Sequence, residues 1–204
     1  MIKEYVKKIN NKVVKFKCDD SLELFIESFM KVLEEDDDKY GIIKDDYTIQ
    51  AGWSFYFINK ESENYRISVP DYNRNPFSDK TDDLTTALTV QGMQNQLLKD
   101  IKQKGCPVTF QDKIVVLKDA LFNEEVYMHR SRKKEGTDSG WYLGLINDQK
   151  DKHPVSDYKS LYTFELLKYK PVLLRVLSAD VGDMVIIHKD EIFEIVNGND
   201  EKIY

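Results

Sequence analysis

Ser139 and His129 are the two side chains whose types could most readily do chemistry together. A serine nucleophile needs a base within hydrogen-bond reach and a group that orients that base. Asp138-Ser139-Gly140 reads as a turn that presents a hydroxyl, and His129 lies shortly upstream. The G-x-S-x-G elbow is absent, and no clear orienting carboxylate stands between the two. A small hydrolase with a site near His129 and Ser139 is therefore the enzymatic alternative. The simpler reading is a turn capped by its own side chains, with Gly140 at positive φ.

Other chemistry finds less support. The histidines His129, His153 and His188 do not pair at i, i+4, and there is no C-x-x-C, so no metal or cofactor is expected. Gly-rich phosphate cradles are absent. Cys18 and Cys106 are too few for a disulfide framework and are expected to be reduced. Two charge runs remain. Glu34-Glu35-Asp36-Asp37-Asp38 could present a phosphate-like surface to a cationic partner, or simply be a solvated exit loop. Arg130-Ser131-Arg132-Lys133-Lys134 could touch an acidic partner, and as a loop run is more simply solvated.

The composition bounds these options. The chain has 204 residues, 41% hydrophobic and 12% aromatic, enough for an ordered core in one large domain or two small ones. A formal net charge of −6 argues against nucleic acid as the main partner and suits a basic one. No apolar run follows the N-terminal charges and none is long enough to span a bilayer, so neither signal peptide nor membrane partner is expected, and the cytoplasm is the expected location.

The elements that must position these residues follow from periodicity. Residues 2–17 read as a hairpin about Asn10-Asn11. Asp19, Asp20 or Ser21 then caps a helix with Leu22, Phe25, Ile26, Phe29, Met30 and Leu33 on one face, ending at the acidic run. Residues 47–58 and 64–70 form a strand pair, and a helix runs from Asp82 or Asp83 to about Lys104, closed by Gly105. Strands are expected at 114–118, 124–130 and from Trp141 to Ile146, and a helical stretch at 157–168. A short helix follows at 171–177 behind Pro171, then a turn at Val181-Gly182-Asp183 and a closing hairpin, 184–188 with 191–196. The class is α+β, with mixed, mainly antiparallel sheets and packed helices. Gly52-Trp53 before Ile58-Asn59 echoes Gly140-Trp141 before Ile146-Asn147 at identical spacing, which would suit two pseudo-repeated α+β halves. The expected division is an N-terminal region, 1–105, and a C-terminal domain, 106–204.

From 126 to 196 the order of features is specific: Val126-Tyr127-Met128-His129-Arg130, a polar loop, Asp138-Ser139-Gly140-Trp141, helices around Pro171, Val181-Gly182-Asp183 and the closing hairpin. This resembles the immunity protein 33 family. Gly144 stands where that family's strand would continue. The resemblance implies a non-catalytic protein, a monomer or weak dimer, that binds a cognate toxin encoded beside it, or an orphaned regulatory or scaffold domain. No binding residues carry over. Within the motif, Trp141 is expected to anchor the core, Asp138 and Ser139 to cap the turn, and Arg130 to pair with Asp138.

Overall fold

Asn10, at φ 54°, turns the chain between strands β1 (Ile2–Ile9) and β2 (Lys12–Asp19), which pair antiparallel over their whole length. The Asp19 carboxylate accepts from the Ser21 amide at 2.9 Å and starts a 3-10 turn that leads into helix α1 (Glu23–Tyr40). The structure is a computed structural model and describes residues 1–132, 135–150 and 152–204. By its internal contacts the chain separates into two compact units, Met1–Gly92 and Met93–Tyr204.

In the first unit, α1 buries Ile26, Phe29 and Leu33, and the same stripe continues to Asp37. The acidic run expected to be an exit loop is thus the last part of the helix. The helix survives there because Asp37 is not left among like charges. It accepts from Lys12 Nζ at 2.9 Å and from the Ile43 amide at 2.8 Å, and Gly41, in the left-handed conformation, closes the helix.

Strands β3 (Tyr47–Ala51), β4 (Ser54–Glu61), β5 (Asn64–Pro70) and the short β6 (Lys80–Thr81) complete a sheet of order β1-β2-β5-β4-β3, with β6 on β5 and only β2 and β5 parallel. The segment 47–58, expected as one strand, is a hairpin whose two-residue turn is Gly52-Trp53. Gly52 is at φ 57°, which breaks the strand. Trp53 is nevertheless fully buried, its ring 4.6 Å from that of Tyr72. Helix α2 (Thr85–Asp100) starts under the Asp83 carboxylate and ends short of the expected Lys104, with Lys102 at φ 56° beyond it. The division between units falls inside this helix.

The second unit contains β7 (Lys113–Leu117), β8 (Glu125–Arg130), β9 (Asp138–Leu145), β10 (Tyr158–Tyr162), the short helix α3 (Leu166–Tyr169), a 3-10 stretch at Pro171–Val176, and the hairpin β11 (Met184–His188) and β12 (Glu191–Val196). The sheet order is β10-β7-β9-β8-β11-β12, with only β7 and β9 parallel. The class is α+β. The first part of the expected helix 157–168 is instead the edge strand β10, paired along all of β7 with Leu161 opposite Ile114. β7 itself is two-faced, since Val115 is exposed between buried neighbours.

Both sheets thus contain a parallel pair beside a hairpin. The two Gly-Trp segments do not occupy corresponding places in them. Gly52-Trp53 is the turn before β4, and Gly140-Trp141 lies within β9. Their equal spacing is not the mark of a repeat.

Candidate functional site

The Asp138-Ser139-Gly140-Trp141 segment is a bulge in the ladder between β7 and β9. The register runs from Lys113 opposite Asp138 to Val115 opposite Tyr142, so β9 spends two more residues than β7 over this interval. Ser139 repairs the interruption. Its hydroxyl donates to the Lys113 carbonyl at 2.6 Å and accepts from the Trp141 amide at 3.3 Å. Asp138 accepts from the Gly140 amide at 2.8 Å and pairs with Arg132. Burial raises the Asp138 pKa, but these two bonds outweigh it and hold the carboxyl below its ordinary value. Gly140 is at φ 79°, and a Cβ there would lie 2.0 Å from the Arg132 carbonyl oxygen, so no other residue fits.

Arg130 does not pair with Asp138. It lies opposite Trp141 on the inner face and is 1% exposed. Its guanidinium donates to the carbonyls of Ala179 at 2.6 Å and Cys106 at 2.9 Å, and sits 5.8 Å from the Trp141 ring. The indole in turn donates to the Leu177 carbonyl at 2.9 Å. Desolvation lowers the Arg130 pKa, opposed mainly by Cys106 and Asp180. Asp183, buried beside the same segment, accepts from Gln103 at 2.8 Å, and burial pushes its carboxyl up. These polar groups bind the 177–183 segment to the sheet. They are framework.

The outer face of the same sheet has a different character. Residues directly opposite across a ladder share a face. Tyr127 is opposite Gly144, His129 opposite Tyr142, Met184 opposite His129, and Tyr158 stands on β10 at the edge. The rings of Tyr127 and Tyr142 are 5.8 Å apart edge-to-face, and those of Tyr142 and Tyr158 are 6.3 Å apart. Gly144 makes this ladder possible. A Cβ there would meet the Tyr142 ring at 2.7 Å and the Tyr127 ring at 2.8 Å. Burial, its largest cause, raises the Tyr142 pKa to about 12, so the phenol stays neutral. Beside the ladder lies a groove of about 350 Å³ lined by Tyr127, His129, Met184, Val196, Asn197 and Asp200, with two glycines.

The Imm33-like domain model matches residues 93–197, just over half of the chain. The chain belongs to the Imm33-like family. No curated protein and no solved structure matches it.

Within this Imm33-like domain the suspected hydrolase pair is not assembled. Ser139 faces inward with its hydroxyl engaged, while His129 lies on the outer face beside Tyr142. His153 is held between Asp148 at 2.5 Å and Asp157 at 3.4 Å, and His188 lies 3.5 Å from Glu125. Among the described residues no three His, Cys, Asp or Glu side chains are grouped to hold a metal. The basic run is not one patch: Arg130 is buried, Arg132 is exposed, and Lys133 and Lys134 lie outside the described residues. Of the acidic run, Glu34, Glu35 and Asp38 are exposed and Asp36 half-buried, whereas Asp37 is spent on Lys12 and Ile43. Burial pushes Asp37 up, but bonds from Lys12, Ile43 and Asn10 prevail and keep it ionised. The outer tyrosines were not singled out by sequence reasoning. Their signal was apolar character at both phases of β8 and β9, which a half-solvated strand does not need.

Proposed function

We propose that this Imm33-like protein is an immunity-type protein that binds a cognate toxin and neutralises it by protein–protein contact, without catalysis. The observation that carries the reading is the family match over residues 93–197. The engagement of Arg130, Asp138 and Ser139 in main-chain bonds supports it, since the motif's polar groups are occupied in holding the domain together. Action in the cytoplasm, as a monomer or weak dimer, belongs to the same proposal. No helix among the described residues is long and apolar enough to cross a membrane.

The exposed carboxylates Glu34, Glu35 and Asp38, together with the overall charge of −6, would steer a basic toxin through the field of the whole molecule. The test is co-expression with the toxin encoded in the neighbouring gene. Survival of cells carrying both genes, death of cells carrying the toxin alone, and recovery of a 1:1 complex are the expected results. Purified partners that do not associate at micromolar concentration would defeat the reading.

A further inference from the structure

The outer face of the C-terminal sheet is built as a contact surface. Tyrosines supply broad, stiff area at low entropic cost and dominate interface hot spots. Here three are lined up, and exposed Val115 and Met184 flank them on neighbouring strands. The absence of a side chain at Gly144 is what lets two of the rings occupy their places.

The charges around the ladder specify the partner. Glu125 shares the outer face with Tyr127, and Asp200 stands on the groove. Lys113 is on β7, at the opposite end of that strand from Leu117, the residue across from Tyr158, and its ammonium is taken up 4.8 Å over the Tyr162 ring. A groove with aromatic walls and a carboxylate at its rim suits a cation, because ring faces and carboxylate attract the same charge. We infer that this face docks the toxin, with an arginine or lysine side chain of the toxin entering the groove between Tyr127, His129 and Asp200 while apolar neighbours of that cation lie on Tyr142 and Tyr158. The inference rests on the toxin-binding reading and names its surface.

The experiment measures affinity of the full chain for the purified product of the neighbouring toxin gene, by titration calorimetry. Tyr142→Ala is expected to weaken binding about 30-fold and Asp200→Lys about 10-fold, while Tyr142→Phe, which keeps the ring, stays within about threefold. Met184→Lys, at a position already 36% exposed on the same groove, guards against a misfolded tyrosine variant and should weaken binding about 10-fold by repelling the incoming cation. Leu24→Ala, at an exposed position of helix α1, is the control and should change nothing. Wild-type protein that binds while all the face variants bind equally well would overturn the surface and leave the toxin-binding reading standing. The surface falls in the same way if only the double change Glu34→Gln with Glu35→Gln abolishes binding. No binding by wild type would overturn the toxin-binding reading, and this surface with it.

Discussion

The two sheets each bury one face and leave the other toward solvent, but they finish that second face differently. On the N-terminal sheet, Arg66 holds Asp82 at 2.8 Å, Glu61 at 2.8 Å and Glu4 at 3.5 Å, and Lys17 reaches Asp82 at 3.2 Å. Lys80 lies 3.8 Å over the Phe57 ring. The charges there are spent on one another. On the C-terminal sheet the middle of the face is Tyr127, Tyr142 and Tyr158, and its carboxylates stand at the margins. A self-neutralised face needs no partner, whereas an aromatic face keeps its apolar area available for one.

If that contrast is right, the C-terminal sheet owes its stability to its inner face. The largest losses should therefore come from Trp141→Ala and from Arg130→Ala, the second of which strips the carbonyls of Ala179 and Cys106 of their donor and opens a void beside Trp141. About 3 kcal/mol or more is expected for Arg130→Ala, and Trp141→Ala should cost about 3–5 kcal/mol. Urea unfolding measures both. A loss below about 1 kcal/mol for Arg130→Ala would mean that the guanidinium is not holding the 177–183 segment.

Next in size is Gly144→Val. The new side chain would push the Tyr127 and Tyr142 rings apart, at an overpacking cost of about 1–3 kcal/mol, and should reduce toxin affinity as well. Ser68→Val, on the outer face of the N-terminal sheet opposite Phe57, should stay within about 0.5 kcal/mol and leave affinity alone. Equal effects at the two positions would erase the distinction between the faces. A smaller effect is expected from Arg66→Gln. Its side chain is 27% exposed, so its three ion pairs are worth about 0.5–1 kcal/mol together, and that loss should shrink in high salt. Persistence of the whole loss in high salt would show that Arg66 acts by packing instead.

How much of this was legible beforehand depends on the distance of the deciding partner. The closing hairpin was readable to the residue, because its alternation and turn are local. The inner stripe of α1 was readable up to Leu33 and lost at Asp37. A carboxylate on the inward phase looks like a helix end until Lys12, which precedes the helix, is known to neutralise it. Tyr158 to Tyr162 carries both a helical and a strand pattern, and pairing with β7, far back in the chain, decides between them. Ser139 looked like a displayed hydroxyl because the carbonyl it serves, at Lys113, is not nearby in sequence. Arg130 looked solvated within a basic run because only the register with Trp141 turns it inward.

The smallest expected effect concerns the approach to the aromatic face and depends on pH. The segment after β9 carries His153, 9% exposed, between Asp148 and Asp157, with its ring edge-on to Tyr158 at 6.1 Å. The hydrogen bond to Asp148 is the largest cause that raises the His153 pKa above its ordinary value, and Asp157 adds to it. A folded-state pKa raised in this way stabilises the protein fully below the unfolded value of about 6.5, and that contribution is lost as pH rises through the folded value. The melting temperature should therefore fall modestly as pH rises above about 6.5, and His153→Gln should flatten the slope. Toxin affinity should weaken over the same interval if Tyr158 takes part in docking, because the clamp that loosens is the one that leads into β10. A slope that is unchanged in His153→Gln would show that the clamp contributes nothing. A flattened slope with constant affinity would remove Tyr158 from the contact while sparing Tyr127 and Tyr142, which stand on β8 and β9.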